Sequence, residues 1–162
     1  MEKEAELKKA GQPDPKWFQG MDRPLHSAAS EGQDEIVAYL LQQGAKANYG
    51  DVVAAANNST PYPDERTKDH FENTVKILID AGALKGISAE NSAEVLQSAI
   101  FTRQGPGHMA VVTMLLDAGL SLDAPGKDGK SAIQIARENS ARTKGELPPK
   151  ELMAFLEQGA KK

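Results

Sequence analysis

The sequence predicts an all-α fold, a solenoid of stacked helix-turn-helix units with short hairpin fingers between them. Three observations carry this reading. A short apolar motif closed by glycine recurs four times along 162 residues, 23 alanines stand against only eight aromatics, and no cysteine is present to staple a loop-rich fold. Small side chains in that number suit thin elements set close together. A motif repeated at a near-constant period marks an array in which each unit buries its apolar face on its neighbours.

The motif reads Leu40-Leu41-Gln42-Gln43-Gly44-Ala45, Leu78-Ile79-Asp80-Ala81-Gly82-Ala83, Leu115-Leu116-Asp117-Ala118-Gly119-Leu120 and Phe155-Leu156-Glu157-Gln158-Gly159-Ala160, with glycine spacings of 38, 37 and 40. Each is the end of an amphipathic helix, and glycine is the residue that takes the left-handed conformation past a helix C-terminus without steric cost. Residues 1–19 are expected to form an N-terminal cap helix or tail, with Glu4 and Lys8 at i, i+4 spacing. Residues 20–162 are expected to form one repeat domain of units at about 20–50, 51–86, 87–124 and 125–162.

Each unit also contains an upstream helix with a small-residue face. In unit one, Pro24-Leu25-His26-Ser27-Ala28-Ala29-Ser30-Glu31-Gly32 starts on proline and stops on glycine. Gln33 to Leu41 follows, with apolar residues three and four apart. Unit two has Val53-Ala54-Ala55-Ala56, then Val75, Leu78 and Ile79. Unit three has Leu96-Gln97-Ser98-Ala99-Ile100, then Val111-Val112 and Leu115-Leu116. Unit four has Ser131-Ala132-Ile133-Gln134-Ile135-Ala136, then Leu152 and Phe155-Leu156. Ala28, Ala29, Ala55, Ala56, Ala99 and Ala136 are expected where helices meet, and a larger residue there costs about 1–3 kcal/mol.

Residues 22–48 resemble the ankyrin repeat. The stretch Arg23-Pro24-Leu25-His26-Ser27-Ala28-Ala29 stands where that family has Thr-Pro-Leu-His-x-Ala-Ala, followed by Gly32, Ile36-Val37, Leu40-Leu41, Gly44-Ala45 and Asn48. In weaker form the resemblance extends over about residues 20–160. Against the family's 33-residue period, unit three carries four extra residues between Ile100 and His108, and unit four carries seven between Arg137 and Leu152. Unit two gains about ten between Asn57 and Phe71 and loses about five before Val53. The enlargements all fall in the turn joining a unit's two helices, and Asn57 to Asp64 reads as a Pro and Asn loop.

Catalytic chemistry finds little support. Ala124-Pro125-Gly126-Lys127-Asp128-Gly129-Lys130-Ser131 is one residue short of a phosphate-binding P-loop, but such a loop follows a strand, and here a helix precedes it. His26, His70 and His108 lack metal-ligand spacing, and the resemblance gives His26 and His108 a structural role. No serine has a nucleophile-elbow context. Asn57-Asn58-Ser59-Thr60 contains overlapping glycosylation tripeptides of a kind common by chance. No cofactor or metal is expected. A net charge of −4 from 19 basic and 23 acidic residues, without a long basic run, argues against nucleic acid. No apolar run reaches the roughly 18 residues of a membrane span. The N-terminus suits a cytoplasmic protein, or an exported one whose leader has been replaced.

The resemblance implies a non-catalytic, monomeric protein that binds a partner protein through its fingers and the exposed side of its first helices. Carried over by position, the first finger is Phe18 to Arg23, the second a shortened Tyr49-Gly50-Asp51, the third Ala89 to Ala93 and the fourth Lys127 to Lys130. The expected partner-binding residues are Trp17, Phe18, Met21, Asp22, Arg23, Ser30, Glu31, Tyr49, Asp51, Phe101, Arg103, Lys127, Asp128 and Lys130. Trp17, Phe18, Met21, Tyr49 and Phe101 are large where the repeat needs nothing large, the kind of residue that anchors an interface. For Trp17 and Phe18 the competing role is capping the first unit, and for Phe101 it is packing beneath the Arg103 to Pro106 insert. Compact proteins of this family include some that neutralise a co-produced hydrolase, so a single enzyme partner and an immunity role are one expectation. A general adaptor with several partners is the other.

Overall fold

A computed structural model describes residues 22–59, 65–103 and 105–159 of the chain. Among these, eight helices follow one another as α1 (Asp22–Ser30), α2 (Asp34–Gln42), α3 (Tyr49–Asn58), α4 (Glu65–Asp80), α5 (Ala89–Ile100), α6 (Met109–Asp117), α7 (Ala132–Arg142) and α8 (Lys150–Gly159). A two-stranded antiparallel hairpin, β1 (Phe101–Thr102) and β2 (Gly105–Pro106), separates α5 from α6. The helices pair as α1 with α2, α3 with α4, α5 with α6 and α7 with α8. The first members form an inner row in which α1 meets α3, α3 meets α5 and α5 meets α7, while α2, α4 and α6 form an outer row. This is the all-α repeat solenoid predicted.

Helix ends follow from the glycines. At Gly44, φ is +97°, the Gly44 N–H donates to Leu41 O (3.0 Å) and the Ala45 N–H to Leu40 O (3.0 Å). This pair of bonds satisfies two carbonyls that a helix end leaves free. The arrangement recurs at Gly32, Gly82 and Gly119, each with positive φ. Gly159 differs: it is the last residue of α8 and is not left-handed, so the fourth motif does not close as the first three do.

The starts of α3, α5 and α7 are set by side-chain caps. Asn48 opens α3 with a capping box shared with Asp51, Ser88 opens α5, and Ser131 opens α7 with a box shared with Gln134. Each oxygen satisfies an amide that the first turn cannot bond internally. Two expected fingers are therefore absent. Tyr49-Gly50-Asp51 is the first turn of α3, and Ala89 to Ala93 is the first turn of α5. Lys127 to Lys130 does form a turn, closed by a bridge between Pro125 and Ser131 and by Gly129 at φ +77°. Its capped serine faces its own helix, with no strand before it, so residues 124–131 are not a P-loop.

The enlarged turns take three forms. In unit two, the added residues after 64 become helix, giving α4 16 residues against nine in α2 and α6. In unit three they form the β1–β2 hairpin. In unit four they extend α7 to Arg142 and make a turn through residue 149. Asn57 and Asn58 end α3 rather than opening a loop, and residues 60–64 lie outside the described residues.

The six alanines expected at helix contacts are all buried. They sit with Leu25, Val52, Leu96 and Ile133 of the inner row and with Val37, Val75, Leu78, Val111, Leu115 and Leu156 of the outer helices in one continuous core. Alanine at the inner row lets helix axes approach, and the branched residues fill the space that remains.

All three histidines span a junction between units. His26 of α1 lies 3.2 Å from buried Asp51 of α3, and His70 of α4 lies 2.9 Å from Asp34 of α2. His108, buried before α6, lies 3.5 Å from Glu72 of α4. The resemblance implies that His26 and His108 hydrogen-bond their own backbone; each also stands beside a carboxylate of the adjoining unit. Partial burial raises the Asp34 carboxyl, but hydrogen bonds from His70, Asn73 and the Glu35 N–H outweigh it and hold it below its ordinary value. A carboxyl lowered by folding stabilises at pH above its unfolded value and loses that contribution as pH falls through its folded value. The gap in urea midpoint between the wild type and Asp34→Asn is therefore expected to be full at pH 7 and to narrow at pH 3.

Candidate partner-binding groove

The candidate site is the cleft between the exposed face of α5 and the finger at 127–130. Arg23 is exposed on α1, in the helix rather than in a finger, and Glu31 is exposed at its end. Ser30 is half-buried and accepts a hydrogen bond from Asn58 Nδ2 at 2.9 Å, which ties α1 to α3. On α5, Glu90, Glu94 and Gln97 recur at i, i+4 and i+7 and so share one face. Together with Gly126, Lys127 and Asp128 they bound a cleft of about 270 Å³.

The finger is held by charge. Lys127 Nζ lies 3.3 Å from Glu94 and Lys130 Nζ lies 2.7 Å from Glu138 of α7. The hydrogen bond and the charge of Glu138 raise the Lys130 pKa. Asp128 Oδ1 accepts from the Lys130 N–H at 3.2 Å, stiffening the turn itself. These are exposed pairs that add little to stability. Their effect is to fix where the carboxylates and ammoniums stand.

A backbone bond from the Arg103 N–H to Asn57 O at 2.8 Å ties the hairpin to α3 and leaves the exposed Arg103 side chain beside the end of that helix. Phe101 and Tyr49 are half-buried and pack against the core. An alanine at either position therefore removes packing as well as surface, so the two are not spare residues as their size implied. Asp51 is buried completely: it accepts from the Asn48 N–H at 2.9 Å and meets His26, so it presents nothing to a partner.

Trp17, Phe18 and Met21 lie outside the described residues, and Asp22 begins α1. The structure brings Lys127, Asp128 and Lys130 together and separates them from Arg23 and Glu31. Glu90, Glu94 and Gln97 escaped the sequence reading although their helical spacing was available, because residues 89–93 were assigned to a finger. Among the described residues no group of three or more His, Asp or Glu could hold a metal, and no helix is long and apolar enough to cross a membrane.

Comparison with known proteins agrees with this architecture. Residues 22–52, spanning α1, α2 and the start of α3, match the family model of the ankyrin repeat. The chain is also similar to the transient receptor potential cation channel subfamily A member 1 homolog of Caenorhabditis elegans, at 26% identity over 124 residues. That match covers 71% of this chain and 9% of the relative, so the chain corresponds to a small part of that protein's length.

Proposed function

We propose that this solenoid, which carries an ankyrin repeat at residues 22–52, binds one partner protein at the groove between α5 and the 127–130 finger, and inhibits an enzyme by doing so. The observation that carries the reading is the pre-set finger: Lys127 and Lys130 are each held by a carboxylate of a different inner helix, Glu94 and Glu138. A surface whose charged groups are already in place loses less freedom on association. The single-partner part rests on the three enlarged turns, each of a different form, which individualise units that a general adaptor would keep alike. An ankyrin repeat is a protein-binding module in general.

Affinity capture on the immobilised full chain, followed by titration of the captured protein, tests this. Glu94→Lys reverses a groove charge and releases Lys127, so binding is expected to weaken at least tenfold. Lys76→Glu, on the exposed side of α4 where Lys76 pairs with Asp80, is expected to leave it unchanged. If the two substitutions act alike, the groove is not the binding face. If the captured protein is an enzyme whose activity survives saturation, the inhibitory role falls while binding stands.

A further inference from the structure

We infer a second docking site, on the outer side of the last two units, for a short protein segment in which an aromatic or leucine side chain adjoins a lysine or arginine. The outer row joins α2 to α4 and α4 to α6, but α8 packs chiefly on α7. This leaves a cleft of about 550 Å³ between the C-terminal ends of α6 and α8. Its apolar wall is Leu116, Leu120, Leu122 and Phe155, and it is flanked by Asp117 and Asp123. Gly159 lines the cleft, and a methyl group there would come 3.3 Å from Leu122 Cδ1 and 3.7 Å from Leu116 Cδ1.

Charge selects the occupant. No basic residue lines the cleft among the described residues. Two helix C-termini, which carry partial negative charge, converge on it. The charge of Asp123 acts on Arg137, but that guanidinium is already engaged by both Glu157 oxygens at 2.7 Å. An apolar group inserted here buries its surface against leucines while an attached ammonium or guanidinium meets two carboxylates. The volume lies within the range of about 300–1,000 Å³ typical of small-ligand pockets, enough for two or three side chains and too small for a folded surface.

The test uses the full chain labelled with 15N and two blocked peptides, Ac-Lys-Phe-Lys-Leu-amide and Ac-Glu-Phe-Glu-Leu-amide. The basic peptide is expected to shift amides of Leu116 to Asp123 and Phe155 to Gly159 and to bind at least tenfold more tightly than the acidic one. Asp117→Asn combined with Asp123→Asn is expected to cut that preference below threefold. Thr113→Arg, which places a cation at the cleft, is expected to weaken the basic peptide at least fivefold. Equal binding of the two peptides, or shifts that map elsewhere, overturns the inference. So does binding that emerges only after Lys161→Ser and Lys162→Ser, which assigns the cleft to the chain's own lysines. Concentration-dependent shifts of these amides without peptide also overturn it, assigning the cleft to a second copy. Glu94→Lys is expected to leave the titration unchanged, so this site and the groove fail separately.

Discussion

Gly107→Ala is expected to lower stability by about 3 kcal/mol, the upper part of the range for overpacking a closed site, seen as a fall in urea midpoint at unchanged slope. A β-carbon at position 107 would lie 2.2 Å from Ile100 O, 2.6 Å from Ile100 C and 2.7 Å from Ala99 O. All three are backbone atoms at the end of α5, so no side-chain rotation relieves the clash. The next residue holds the segment in place, because the His108 N–H donates to Ala99 O at 2.9 Å. Relief would require the hairpin to lift from α5, breaking the approach that starts α6. Gly126→Ala makes a useful contrast: its nearest neighbour would be Lys130 O at 3.1 Å, within an exposed finger that has room to adjust. A loss at Gly107 no larger than that at Gly126 would mean the hairpin does not sit as described.

Asp51→Ala is expected to cost about 2 kcal/mol, combining a lost helix cap with a buried amide left unsatisfied. The carboxylate is fully buried, accepts from the Asn48 N–H and meets His26 of the preceding unit, so one side chain serves both the start of α3 and the junction of units one and two. Asp51→Asn keeps one acceptor oxygen and is expected to lose about half as much. Thermal denaturation of the two variants beside Lys127→Ala, an exposed finger residue, gives the comparison. Equal small effects at all three would return Asp51 to the surface.

What the sequence made legible follows from how local each rule is. A glycine after an amphipathic run needs only its own φ to end a helix, so Gly44, Gly82 and Gly119 were readable one at a time. The contact alanines were readable because the period repeats them in register. Asp51 was not readable: the residues missing before Val53 obscured the register, and Gly50-Asp51 suits a turn as well as it suits the first turn of a helix capped by Asn48. The inserts showed their length but not their form, since that depends on what each packs against. The helix-prone Glu65 to Phe71 lengthened α4, while Phe101 to Pro106 folded back on itself beside Asn57. Glu90, Glu94 and Gln97 showed their common face, yet only the position of a turn some 33 residues later makes them one wall of a cleft.

The histidine bridges have a mechanical consequence. They cross the junction of units one and two twice and that of units two and three once, and both junctions join inner and outer helices, whereas units three and four meet through α5 and α7, the Ile133 N–H to Leu122 O bond and the exposed Lys127 to Glu94 pair, with a gap between α6 and α8. In a linear array each unit is held only by its neighbours. A chain pulled at both ends would therefore yield first at its fourth unit, peeling α7 and α8 away as one piece while the first three units remain folded. The finger at 127–130 belongs to the piece that leaves, so tension on the chain would open the groove before it unfolded the array.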